Sequence, residues 1–387
     1  MTTAISPRNP AWMEEEHVLL QDSARKFFAA EVTPNLDKWR KQGMVDREIW
    51  EKLGDAGFLG ASVPEEYGGS GGDVTHDCLI FLEHAATGDY AIGIRVHMYV
   101  VHYILAFGTE EQKKRWVPDL VSGKKIAAIA MSEPNAGTDL QAVQTYAEKN
   151  GAGYLLNGSK TFISNGQISD FVCVVCKTDR KARARGISLV MLETEGAEGF
   201  KRGRNLEKIG MKGQDTSELF FENVQLSSAD LLGEEEGQGF FQLMAQLPRE
   251  RLSISLTALA ACDLALRETL AYVKERELFG KRLMDMQNTR FKLAEVKTKT
   301  EILRTFLNEC IGRLKDGTLD ASTASMCKWW STQTQCEIVD ECVQLHGGYG
   351  YMMEYPIAQL YADSRGQKIY GGSNEVMKEL IARSLDN

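Results

Sequence analysis

The stretch FVCVVCKT, residues 171–178, has two readings, and the choice between them decides the fold. As a Cys-x-x-Cys pair, Cys173 and Cys176 would offer two thiolates to a metal. As an extended run of Phe, Val and Cys it is a buried strand, in which positions i and i+3 face opposite sides and cannot share one ion. The neighbouring segments favour the strand. KIAAIAM (125–131), GYLLNG (153–158), GISLVMLE (186–193) and SELFFENVQL (217–226) are all short, apolar and closed by turn residues such as Asn157-Gly158. No helical period lies between them, so residues 125–235 are expected to form a β domain with largely antiparallel strands, barrel-like rather than doubly wound. No metal site is expected.

On either side the period changes to helical. Residues 13 to about 122 carry a helix from about 14 to 31 and another announced by the capping box Thr109-Glu-Glu-Gln112. This predicts a helical domain over residues 1–124. YGGSGGD (67–73) reads as a loop, because no strand and no GxGxxG helix surround it. AIGIRVHMYVVHYILAF (91–107) reads as a buried helix rather than a membrane span, since it carries Arg95, His97 and His102. After residue 238, Leu256, Leu259, Leu266, Leu270 and Val273 form one stripe, and Leu293, Val296, Leu303, Leu307, Cys310 and Leu314 another. Gly317 and Asp320 open a third long helix reaching about residue 345. A C-terminal four-helix bundle over residues 236–387 follows, closed by a late helix at 373–385. The fold class is thus α+β and multidomain.

Composition narrows the function. The 387 residues are 43% hydrophobic, enough for sizeable cores. A formal net charge of -9 leaves no overall footprint for nucleic acid or anionic lipid. Eight scattered cysteines suit a reducing compartment. The first residues, MTTAISPRNPAWMEEEH, lack a signal-peptide core and turn acidic early. The expectation is a bacterial cytoplasm, or the mitochondrial matrix for a processed chain, with no stable membrane insertion.

Two longer motifs carry the chemistry. AMSEPNAGTDL (130–140) and QLHGGYGYMMEYPIAQLYADSRGQKIYGGSNE (344–375), with GMKGQDTSELFFENV (210–224) and YVKERELFGKRL (272–283), resemble the signatures of the acyl-CoA dehydrogenase family. The resemblance runs from about residue 12 to the end and is closest to the long-chain branch. It implies FAD as cofactor, an acyl-CoA substrate, electron-transfer flavoprotein as acceptor and a homotetramer. It also implies α,β-dehydrogenation to a trans-2-enoyl-CoA in fatty-acid β-oxidation.

The resemblance assigns residues as well. Met131, Ser132, Gly137 and Thr138 would meet the cofactor, where small residues let backbone approach and hydroxyls donate. In TFISNG (161–166), Phe162, Ile163 and Ser164 would lie at the redox end of the flavin, with Phe162 where many relatives carry Trp. Arg276, Phe279 and Gln287 would hold the diphosphate and adenosine of a neighbouring subunit's FAD. Gln344, Leu345, His346, Gly347 and Gly348 would complete that site, with Ser373, Asn374 and Glu375 at the following helix start. His346 has no carboxylate or nucleophile pattern nearby and reads as structural or cofactor-packing. Thr138, Phe241, Arg249, Arg251, Gly371 and Gly372 would face substrate.

This reaction needs a base for the proton α to the thioester. Many relatives carry a glutamate just after the Tyr of the C-terminal motif, where this chain has Gly371. QLPRERLSIS (246–255) supplies Glu250 instead, and long-chain and isovaleryl relatives pair a glutamate there with glycine at the turn. Pro-Arg-Glu-Arg also suits an ordinary acidic first helical turn, and Glu375 is the nearest carboxylate in sequence. Arg249 stands where the closest relatives often have an uncharged residue. The expected activity covers medium, long or branched acyl chains. The competing readings are a flavin oxidase or monooxygenase on the same fold, an isovaleryl-type dehydrogenase, and a non-catalytic FAD- or acyl-CoA-binding partner.

Overall fold

In the computed structural model, residues 10–386 are described, so the reading of residues 1–9 lies outside them. Six α-helices come first: α1 (Glu15–Phe27), α2 (Leu36–Gln42), α3 (Glu48–Asp55), α4 (Val74–Ala85), α5 (Ile94–Phe107) and α6 (Glu110–Val121). The capping box opens α6 as its sequence requires. Thr109 Oγ1 accepts from the Gln112 N–H at 3.3 Å, and Gln112 Oε1 accepts from the Thr109 N–H at 3.0 Å. The apolar run 91–107 becomes α5, buried in the protein. Its ring nitrogens are satisfied, His97 by the Leu120 carbonyl at 3.0 Å and His102 by Asp77 at 2.9 Å. No helix among the described residues is long and apolar enough to cross a membrane. The glycine-rich stretch after Tyr67 is a loop that delivers Asp73 as the N-cap of α4.

Seven strands then form one curled sheet: β1 (Ala127–Ala130), β2 (Tyr146–Asn150), β3 (Gly153–Ser164), β4 (Phe171–Lys177), β5 (Ile187–Glu193), β6 (Phe200–Asn205) and β7 (Thr216–Ser227). The order is β1-β4-β2-β3-β7-β6, with β5 on β4. The pairs β2/β3, β3/β7, β4/β5 and β6/β7 are antiparallel. β1 runs parallel to β4, and β2 meets β4 in parallel at Tyr146 and Lys177. The antiparallel expectation therefore needs a correction at β4, which the chain reaches only after the β2/β3 hairpin has intervened. Within β4, Phe171, Cys173 and Val175 join the core shared with the helices, whereas Val172, Val174 and Cys176 join a second core. The two thiols point to opposite faces, as strand geometry demands.

The C-terminal part holds α7 (Gly239–Glu275), a small hairpin of β8 (Glu277–Leu278) and β9 (Lys281–Arg282), α8 (Gln287–Lys315), α9 (Ala321–His346), α10 (Pro356–Gln367) and α11 (Asn374–Arg383). Asp320 caps α9 by accepting the Thr323 N–H at 2.9 Å. α10 packs against α7 and α9, and its period is hidden inside the Gly- and Tyr-rich motif. Pro248 lies inside α7, not before it. The first-turn reading of Pro-Arg-Glu-Arg is thereby overturned, because α7 begins more than two turns earlier.

Candidate active site

Glu250 is 6% exposed on the face of α7 that packs against α5. Tyr99 and Tyr103 stand one turn apart on α5 and reach across to it. Tyr103 donates its hydroxyl to Glu250 Oε1 at 2.7 Å. Tyr99 is hydrogen-bonded to Ser253 Oγ, and Ser253 donates to the Glu250 carbonyl at 2.8 Å. Burial pushes the Glu250 carboxyl up to about 7, against the opposing pull of the Tyr103 bond and the Arg251 charge. Such a carboxyl can accept a proton near neutral pH and hold it.

The Gly371–Gly372 turn forms the facing wall. Both residues adopt left-handed backbone, with φ of +66° and +89°. A Cβ on Gly371 would stand 2.2 Å from Ile254 Cδ1, and one on Gly372 2.6 Å from Met377 Cε. Ile254 is one helical turn beyond Glu250, so the carboxylate at 250 and the glycine at 371 border the same space. Lys328 on α9 clamps the turn, donating to the Gly372 carbonyl at 2.6 Å and to Asn374 Oδ1 at 3.1 Å. Thr332 adds a third bond to the same Asn374 oxygen at 3.0 Å. Burial, with the nearby Arg251 charge, lowers the Lys328 ammonium to about 8.

Arg251 is also buried and donates to Ser325 Oγ at 3.1 Å, while its Nε and the Asn374 Nδ2 have no partner among the described residues. Two buried cations thus stand beside the turn, and among the described residues neither is bonded to a carboxylate. Unfilled donors of this kind suit a carbonyl or anionic oxygen of a ligand. Glu375 is exposed at the start of α11, outside this wall.

The first motif and TFISNG meet beside one another. The Thr161 N–H donates to the Ser132 carbonyl at 2.9 Å. The buried Lys160 ties the segment from beneath, donating to the Met131 carbonyl at 2.9 Å and to Glu133 at 2.8 Å. Phe162 is 69% exposed with φ of +61°, between the buried Thr161 and Ile163. An aromatic ring turned outward on a left-handed backbone is costly without a partner. Ser164 approaches Gln214 at 3.4 Å. Gly137 and Thr138 are exposed, and a Cβ on Gly137 would meet nothing within 4 Å.

A third set gathers at the far end of the bundle. Arg276 lies about 39 Å beyond Glu250 along α7, at about 1.5 Å per residue. Phe279 and Gly280 turn the β8/β9 hairpin with φ of +52° and +74°, which leaves the Phe279 ring 97% exposed. His346 is buried, stacks on Tyr272 at 4.4 Å and is hydrogen-bonded through Nδ1 to the Cys342 carbonyl at 2.8 Å. Arg276 lies 6.0 Å from the Tyr349 ring, which joins the α7 end to the 344–349 motif. Leu345 is half-buried, and Gln287, Gln344, Gly347 and Gly348 are exposed. Cβ atoms on Gly347 and Gly348 would meet nothing within 4 Å.

Two assigned residues fall apart from these groups. Phe241, in the first turn of α7, is 49% exposed and packs edge-on against Phe240. Arg249 turns away to Asp77 at 2.7 Å and Ser62 at 3.3 Å. The residues that sequence reasoning missed are Tyr103, Ser253 and Lys328. They sit in apolar or mixed helical runs, and only the pairing of α5 with α7 and of α9 with the turn gives them meaning.

Three consecutive family matches cover this architecture: acyl-CoA dehydrogenase N-terminal domain over residues 14–124, middle domain over 128–224 and C-terminal domain over 237–385. The chain belongs to the acyl-CoA dehydrogenase family, flavoprotein oxidoreductases acting on CH–CH bonds of acyl-CoA. More particularly, it is similar to the mitochondrial long-chain specific acyl-CoA dehydrogenase of Mus musculus, 48% identical over 373 residues that cover 96% of this chain and 86% of that one. An acyl-CoA dehydrogenase structure from Geobacillus kaustophilus matches with a TM-score of 0.95 and 44% identity, covering 98% of this chain and 100% of the other. A glutaryl-CoA dehydrogenase from Mycobacterium smegmatis, solved in complex with FADH2, matches with a TM-score of 0.90 and 26% identity, covering 96% and 95%.

Proposed function

We propose that the protein is an FAD-dependent acyl-CoA dehydrogenase in which Glu250 removes the α-proton of the thioester. The observation that carries this reading is a buried carboxyl held at about 7 next to Arg251, whose Nε is unfilled, on the helix that packs Ile254 against the Gly371 turn. Tyr103 fixes one carboxylate oxygen and leaves the other for the proton. The α-proton goes to Glu250, the β-hydride leaves with its electron pair, and a trans-2-enoyl-CoA results. Bound FAD supplies the two-electron acceptor for that hydride. The unfilled donors of Arg251 and Asn374 offer hydrogen bonds to the substrate or cofactor at the same turn.

The chain fits such a cofactor. Phe162 presents a ring surface, Ser164 a hydroxyl beside it, and Gly137, Gly347 and Gly348 leave room for close approach that the chain's own packing does not use. Arg276, Phe279, Gln287 and the 344–348 segment stand too far along α7 to reach a flavin at Glu250 in the same protomer. That distance supports a second copy as the owner of the FAD they hold, within a homotetramer. Electron-transfer flavoprotein is the proposed acceptor, fatty-acid β-oxidation the role and the cytoplasm the compartment.

An anaerobic titration tests the reading. Purified protein is mixed with butyryl-, isovaleryl-, octanoyl- and palmitoyl-CoA while the long-wavelength flavin band is followed. Bleaching with at least one thioester, and recovery of its trans-2-enoyl product, is the expected result. A flavin that stays oxidised with all four would overturn the proposal.

A further inference from the structure

GMKGQDT, residues 210–216, holds none of the groups that meet substrate or FAD in the proposed reaction, yet three parts of the protein converge on it. The Met211 N–H donates to Asp363 Oδ1 of α10, and Met211 itself has φ of +51°. Left-handed backbone on a bulky residue persists only where its surroundings fix it. A Cβ on Gly210 would stand 2.5 Å from the Ala362 carbonyl carbon, and one on Gly213 2.8 Å from Ala91 Cβ. Helix α10 and the loop between α4 and α5 therefore grip the segment where only glycine fits. What the grip fixes is Gln214. Its carbonyl accepts from Lys208 Nζ, its N–H donates to the Met211 carbonyl at 3.1 Å, and its side chain is buried. Beside it, Asp215 Oδ2 accepts the Gln167 N–H at 2.7 Å, and Gln167 Nε2 donates to Ser217 Oγ at 3.0 Å. Those bonds stitch the turn after β3 to the start of β7, where Ser164 pairs with Thr216. Across this seam Ser164 donates its hydroxyl to Gln214 Oε1 at 3.4 Å.

We propose that Gln214 is a positioning residue for the redox step: by accepting the Ser164 hydroxyl proton it turns Ser164 into an acceptor and favours the reduced flavin. The proposal rests on the reading that TFISNG lies at the redox end of bound FAD. A hydroxyl has one proton to give and two lone pairs with which to receive. Hydride transfer changes the flavin nitrogen that takes it from a hydrogen-bond acceptor to a donor. Ser164 can meet the oxidised ring by donating to it, but with the reduced ring its own proton needs another acceptor, and Gln214 Oε1 is that acceptor. The amide can also turn its Nε2 toward the serine, so both redox states are served while Gln214 is present. Its loss is felt unequally. The oxidised state loses only a partner for a spare lone pair, whereas the reduced state is left with an unpaired donor under the flavin, which costs more. The midpoint potential of the flavin therefore falls.

The test is the midpoint potential of the bound flavin in FAD-loaded, full-length protein, measured against a reference dye. Gln214→Met keeps the length of the side chain and removes both hydrogen-bonding atoms. Its potential is expected to fall by about 30 mV, which for two electrons is about a tenfold loss in the preference for reduced FAD. Gln214→Asn keeps an amide but withdraws it from Ser164 by one methylene, and the same fall is expected, which keeps the test open should the methionine variant not fold. In a Ser164→Ala background, where the hydroxyl is gone, Gln214→Met is expected to change that preference by less than about twofold. A potential that stays or rises in either folded single variant, or an equal fall in the Ser164→Ala background, would overturn the role of Gln214. A wild-type protein that takes up no FAD would remove the flavoenzyme reading and this inference with it. A potential that falls as expected in a protein no thioester bleaches would sustain the inference and remove the dehydrogenase reading alone.

Discussion

Tyr103→Phe removes one oxygen and leaves the aromatic packing of α5 in place, which isolates the hydrogen bond to Glu250 Oε1 at 2.7 Å. The bond favours the ionised carboxylate, so its loss raises the pKa from about 7. A hydrogen bond to a charged group contributes about 1.5–3 kcal/mol, and one pKa unit corresponds to about 1.4 kcal/mol, so the rise is about one to two units. The base must be ionised to act, and activity therefore climbs with pH through this pKa. With a rise of one unit, the ionised fraction at pH 7 falls from about a half to about a tenth, a loss of about fivefold that vanishes above about pH 9. The assay is the single-turnover rate of anaerobic flavin bleaching by octanoyl-CoA as a function of pH. An acid limb that stays in place, or moves to lower pH, would refute the assignment of Tyr103 as the donor that tunes Glu250.

Glu250→Gln should become progressively more stable than wild type as pH rises. The folded carboxyl binds its proton more tightly than the unfolded one, so its stabilising contribution is complete below about 4.5 and lost through about 7, which amounts to about 3 kcal/mol. Urea midpoints of the two proteins at low and high pH measure this, and a pH-independent difference would contradict it. Gly371→Ala forces a Cβ into left-handed backbone and onto Ile254 Cδ1, at a cost of about 2–4 kcal/mol in denaturant unfolding. Ile254→Val deletes that methyl, so in the Gly371→Ala background it should recover part of the loss, and simple additivity would speak against the contact. Lys328→Met releases the Gly372 carbonyl and Asn374, and kcat should fall more than KM rises. Unchanged kcat would show that the turn holds its shape without the clamp.

The fold was legible where period and punctuation are local. Thr109, Asp320 and the alternation in β4 state their structure within a few residues, because capping and strand geometry are short-range. The parallel contact of β1 with β4 was not, since pairing between distant strands leaves no mark in either. α10 was hidden because its Pro, Tyr and Gly content masks its helical period. For the site, the exchange of a glycine at 371 for a glutamate at 250 could be read from the resemblance, and α7 brings Ile254, one turn beyond Glu250, against that glycine. Arg249 shows the limit. Its neighbours in sequence suggest the thioester, but one residue is about 100° around a helix, and its fork is taken by Asp77 on α4. Lys328 carried no signal, because a single lysine in a long helix usually points to water.

The most direct measurement is anaerobic bleaching of the flavin by the same thioester in wild type and Glu250→Gln, with acyl-CoA binding followed independently in both. The account predicts that wild type bleaches, and that the variant binds the thioester with its flavin still oxidised. A variant that bleaches as fast as wild type would contradict the claim that Glu250 takes the α-proton, and would return Glu375 to consideration.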